Sequence, residues 1–179
     1  MPLHQAFERQ SQWNGGEIAE VAVAEIWTAL ELGEQRGAHL EALLARVEAS
    51  VPHADDYEAP LVTWAQDTLS VVDTALRALL GDAEFVPGAV EYAFESLKTA
   101  ICMERTGFVD LGSDEREEEF LKTLLTDRRF LAELGFQDAD LRALERCDEV
   151  ETYVLLRTRS QTARWTPDRF HFQDPTTED

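Results

Sequence analysis

The stretch PHADDYEAP, Pro52 to Pro60, places His53 next to the adjacent carboxylates Asp55 and Asp56. Oxygen donors of this kind could hold a hard divalent cation if a distant carboxylate completed the set, so Asp55 and Asp56 are the candidate metal ligands. The competing reading is simpler. The stretch breaks two apolar helical patterns, and an aspartate there can accept hydrogen bonds from the N–H groups that open the next helix, with Pro60 tolerated in its first turn. Such a cap is worth about 1 kcal/mol. No HExxH, EF-hand loop or paired ExxH motif accompanies the aspartates, and no two of the four histidines share a helical face. The cap is the favoured reading, and no cofactor is called for.

Three other groups of residues could carry chemistry. Glu91, Glu95, Lys98 and Cys102 run along one ridge of a helical pattern, where a lysine held among carboxylates could change its pKa and act as a base. The same spacing makes Glu95 and Lys98 an ordinary i, i+3 ion pair, and no histidine adjoins Cys102 to activate it. Asp67, Ser70 and Thr74 share a side of another helix, opposite most of its apolar stripe, and read first as a solvated face and second as the wall of a pocket. Arg164, Trp165 and Arg169, with Phe170 and Phe172, form a basic and aromatic tail that could dock on its own acidic body or recognise a partner. Phosphate-cradling glycine loops and a nucleophile elbow are absent, so no catalytic residue is assigned.

The charge balance narrows the partners. Thirty-six acids against sixteen Lys and Arg leave a formal charge of −20 over 179 residues. That field repels nucleic acid and anionic membranes, whose phosphates require cations to displace their counterions. A basic protein would be attracted, with solubility as the plainer reason for the same surface. Cys102 and Cys147 stand far apart without metal-ligand spacing, which suits small core hydrophobes in a reducing compartment. No leader-like or membrane-spanning apolar run is evident, so the expected location is cytoplasmic.

The elements that must position these residues are all helical by period. Ile18 to Leu32, Leu40 to Val47, Leu61 to Leu80 and Ala89 to Thr106 each carry an apolar stripe at i, i+3, i+4 spacing, and Gly81 and Gly107 stand where helices end. A fifth helix follows Ser113 or Asp114 with carboxylates in its first turn, where the macrodipole favours them. The last helical region, from about Arg128 to Arg164, is expected to be interrupted or bent near Gly135 and to bury Leu141, Leu144, Val150 and Leu155. The reading is one all-α domain of six or seven helices over 1–165 with an irregular tail over 166–179.

The order IWTALE, then LEALLARVEASVPHADDYEAP, then a helix bearing Trp64, Asp67 and Asp73, then AVEYAFESLKTAICME and FLAELGFQDADLRALE resembles the YjaG-type bacterial family, domain-of-unknown-function family 416. The resemblance covers about Ile26 to Thr158 and implies a compact, helical, cytoplasmic bacterial protein. That family has no agreed activity, so it supplies no catalytic residues.

The functional expectation is therefore a non-enzymatic module that binds a basic protein, in the manner of an immunity or antitoxin-like partner. Asp67, Glu91, Glu95, Arg164, Trp165 and Arg169 are its candidate contacts. The alternative is a carboxylate-based binder of a divalent cation or small molecule, with an enzyme of unknown class as its extension. A homodimer held by an exposed apolar helix face is a third reading.

Overall fold

A computed structural model describes residues 4–32, 37–57, 62–106, 114–146, 150–161 and Phe170. Among the described residues there are eight α-helices and no strand. They are α1 (His4–Gln10), α2 (Gly15–Leu32), α3 (Gly37–Ser50), α4 (Val62–Leu79), α5 (Val86–Thr106), α6 (Asp114–Leu124), α7 (Arg128–Arg146) and α8 (Val150–Gln161). Short 3-10 turns at Ala54–Asp56 and Ala83–Phe85 bracket α4. No described helix is long and apolar enough to cross a membrane. The all-α expectation holds, with eight helices where six or seven were read.

The fold is organised around α4. Its apolar positions fall at helical spacing on more than one side, so neighbours can surround it: α1, α2, α3 and α5 all pack on it, α5 most extensively. Trp64, Leu69 and Leu76 of α4 are fully buried, together with Val47 of α3 and with Leu97 and Ile101 of α5. The helix ends as the sequence indicates. Gly81 has φ 109°, which favours glycine, and the Asp82 N–H donates to the Arg77 carbonyl at 3.1 Å across the terminus. Arg77 then pairs with Asp73 at 2.8 Å and with Glu48 of α3, and lies over the Phe85 ring.

The first helix, α1, has no counterpart in the sequence reading. Seven residues are too few to show a period, and it is held by tertiary contacts instead. Phe7 is buried against Trp13 and Tyr57, and the Trp13 indole N–H donates to the Ser50 carbonyl at 2.9 Å. Glu8 accepts a hydrogen bond from the Gly16 N–H at the start of α2, where the helix dipole favours a carboxylate. A Cβ at Gly15 would strike the buried Trp13 ring, and one at Gly16 would displace the Glu8 carboxylate from its hydrogen bond.

Two expectations for the second half are corrected. α7 continues through Gly135 without interruption, since one exposed glycine costs a helix only about 1 kcal/mol and nothing crowds that position. Leu141, Leu144, Val150 and Leu155 lie outward instead of in the core. Phe130 and Ala132 pack α7 against the core, and its polar pairs join Arg129 to Asp127 and Glu104, Gln137 to Glu133, and Asp140 to Arg159 of α8. Asp127 caps α7 by accepting the Arg129 N–H at 2.9 Å and also pairs with Arg105 of α5.

Leu76→Ala should lower unfolding free energy by about 2–5 kcal/mol through cavity formation, whereas Leu125→Ala, at an exposed position, should change it by less than about 0.5 kcal/mol. Urea titration of the two variants checks this. Asp127→Ala should cost about 1–2 kcal/mol near neutral pH. Hydrogen bonds from the Arg129 side chain hold the Asp127 carboxyl down at about 2, against partial burial that opposes them. Its stabilisation is therefore complete above the unfolded carboxylate range near pH 4 and is lost as pH falls toward 2. Urea titrations of variant and parent should converge over that interval.

Candidate binding cleft

Because α2 and α5 lie against α4, a cleft of about 570 Å³ opens between them. Val71 and Val72 with Thr68 come from α4, Ala19, Glu20 and Val23 from α2, and Ala93 and Ser96 from α5; α1 and α8 border it with His4, Gln5 and Ser160. The volume falls in the range of small-ligand sites, and the lining is aliphatic with a few polar groups, the composition that orients a ligand in a dry wall. Thr68 is buried and its hydroxyl is committed to the Trp64 carbonyl at 2.7 Å, so its methyl contributes mainly shape.

Ser96 links this cleft to a half-buried carboxyl, Asp67. Its hydroxyl donates to Asp67 at 3.3 Å. Burial of Asp67 raises its pKa to about 6; the Ser96 hydrogen bond opposes that shift and the nearby Glu95 charge adds to it. Glu95 itself is engaged by Lys98 of the same helix at 3.0 Å. A carboxyl that changes charge near neutrality beside an apolar cleft can bind a cation or a hydrogen-bond donor.

The other sequence candidates are dispersed. Asp55 and Asp56 are exposed within the 3-10 turn, and Tyr57 after them is extended, with φ −136° and ψ 126°. Residues 58–61, between this turn and α4, lie outside the described residues, and the capping expectation for α4 falls there with them. Among the described residues no three His, Cys, Asp or Glu side chains are grouped to hold a metal. Glu91 is exposed on α5, and Cys102 is half-buried against the core.

Asp67, Ser70 and Thr74 are not a solvated face. Thr74 is 6% exposed, and Ser70 and Thr74 border a smaller recess of about 320 Å³ with Glu48, Asp73, Phe85 and Tyr92. Arg164, Trp165 and Arg169 lie outside the described residues. Phe170 does not: it is buried beneath the Arg129 guanidinium, 5.0 Å from its ring centre, as self-docking of the tail would require.

Sequence reasoning missed Ser96, His4 and Ser160. Ser96 did leave a signal, since it is a lone hydroxyl within the stripe Ala93, Leu97, Ala100 and Ile101. His4 and Ser160 reach the cleft only through the packing of α1 and α8.

The fold and cleft define an all-helical domain with a small-ligand-sized opening beside a half-buried carboxyl. Residues 1–165 match the family described as protein of unknown function, DUF416, and the chain belongs to it. The match takes in the N-terminal residues ahead of Ile26, where the resemblance begins. No curated protein and no solved structure matches the chain.

The raised pKa of Asp67 has a defined sign. Between about pH 4 and 6 the native chain holds a proton that the unfolded chain has released, so this group's contribution to stability falls as pH rises through that window. Asp67→Asn should stabilise the protein at pH 8 relative to its parent, by about 1–3 kcal/mol, and should give little gain at pH 4. Equal effects in urea titrations at both pH values would refute this.

Proposed function

We propose that the chain is a binding protein whose acidic body engages a basic protein partner. The supporting observation is where the charges go. Eight described bases, Arg77, Lys98, Arg105, Lys122, Arg129, Arg142, Arg157 and Arg159, are held in ion pairs with the chain's own carboxylates. α2 carries Glu17, Glu20, Glu25 and Glu31 and no base, and Glu17, Glu20, Glu41, Glu84 and Glu91 are exposed outside those pairs. Asp55, Asp56, Asp82, Glu119, Glu145 and Glu151 are likewise exposed outside those pairs, so the negative surface runs around the chain, and Glu20 brings it to the cleft. A basic segment with an apolar residue would meet carboxylates around an aliphatic opening, which suits both its charge and its side chain.

A second reading is favoured by the cleft itself: a small molecule or cation held near Ser96 and Asp67. It predicts that a bound ligand raises the melting temperature by mass action. A thermal-shift screen of divalent cations and metabolites that moves the parent and not Asp67→Asn would favour this reading over the first.

For the basic-partner reading, proteins retained by the immobilised chain at low salt should be basic and should be released at about 0.5 M salt, where screening is nearly complete beyond about 4 Å. Glu17→Gln/Glu20→Gln should weaken that retention severalfold. Retention that ignores both salt and the substitutions would refute the reading.

A further inference from the structure

Four leucines of α7 stand at the surface: Leu131, Leu134, Leu141 and Leu144 are 47%, 39%, 60% and 37% exposed. Phe130 and Ala132 make the contact of this helix with the core, and Arg129, Glu133 and Asp140 are half-buried. Asp138 and Arg142, both well exposed, pair with each other at 2.8 Å beside the leucines and cancel each other's charge. Leucines exposed around an internally neutralised ion pair are available to another surface.

We propose that this face binds α7 of a second copy of the chain, antiparallel, about a two-fold axis between Gln137 and Asp138. Two observations select that occupant. The first is spacing. The four leucines are separated by three, seven and three positions, a palindrome. A two-fold axis at its centre sets Leu134 of each copy against Leu141 of the other, and brings Leu131 and Leu144 to the same level at either end. An interface made by one patch on both partners is the ordinary geometry of a symmetric dimer.

The second is charge. α7 holds four arginines, Arg128, Arg129, Arg142 and Arg146, against four carboxylates, Glu133, Asp138, Asp140 and Glu145, so its net charge is zero within a chain of net charge −20. Two acidic bodies repel one another over most of their surfaces, and α7 is a face on which that repulsion is locally cancelled. A basic partner would find no net charge on α7 to attract it. A stable interface removes about 800 Å² per partner, more than one helical stripe supplies. The neighbouring α8 adds Val150, Val154 and Leu155, each about half exposed.

The test is the molar mass of the full chain by light scattering after size exclusion, from about 1 to 100 μM, a range that spans micromolar association. The expected result is twice the 20.2 kDa of one chain at the upper end. Leu134→Glu/Leu141→Glu should return the mass to one chain with the helical circular dichroism unchanged. A parent that stays at one chain's mass throughout overturns the proposal, and so does a folded double variant that still dimerises. Should that variant lose its helices, Asp138→Cys decides the matter. It lies next to the axis and should cross-link two chains on mild oxidation, in excess of any cross-linking by the parent's own cysteines; no excess refutes the arrangement.

Discussion

Everything in this molecule depends on how α4 is enclosed. A helix covered by α1, α2, α3 and α5 must be apolar on several sides, and Trp64, Leu69 and Leu76 meet that demand. The same enclosure reaches the polar residues of α4. Thr68 and Thr74 are buried with their hydroxyls turned onto backbone carbonyls of their own helix, which satisfies them without a distant partner. Asp67 has no such local solution. It is kept by one hydroxyl from α5, and its proton affinity rises accordingly.

The second organising constraint is the disposal of few bases among many acids. Arg77 joins α3 to α4, Arg157 joins α8 to α2, Arg159 joins α8 to α7, and Asp127 gathers Arg105 and Arg129 where α5 meets α7. Pairs at partly exposed positions contribute little each, yet they tell neighbouring helices where to sit. Their wider effect is electrostatic. With bases drawn into such pairs, uncompensated carboxylates stand exposed on α2, α6 and other helices, while the charges of α7 sum to zero along its own sequence.

Much of the fold was legible because helical period is a local property. α2, α3, α4 and α5 were found within a few residues of their bounds, and Gly81 was found as a helix terminus. α1 was not legible, since seven residues anchored by Phe7 against Trp13 and Tyr57 derive their order from elsewhere in the chain. The 3-10 turn at Asp55 and Asp56 was not legible either, because helix caps and 3-10 turns use the same residue types. Ser96 was hidden because one hydroxyl in an apolar stripe has no meaning until a carboxyl from another helix is seen to meet it.

Periodicity states that a helix has an apolar side; it does not state which way that side faces. Leu141 and Leu144 illustrate the difference, being stripe residues by spacing and exposed residues in the fold. The sequence alone determined the helical class, the places where α4 and α5 run, and the sign of the field, because each follows from local pattern or simple addition. Only the tertiary structure decided that α2 and α5 flank a cleft, that Asp67 would be partly dehydrated, and that α7 would turn its leucines outward. Those depend on distances between residues far apart in the chain, and helix packing sets them by which surfaces exclude water together.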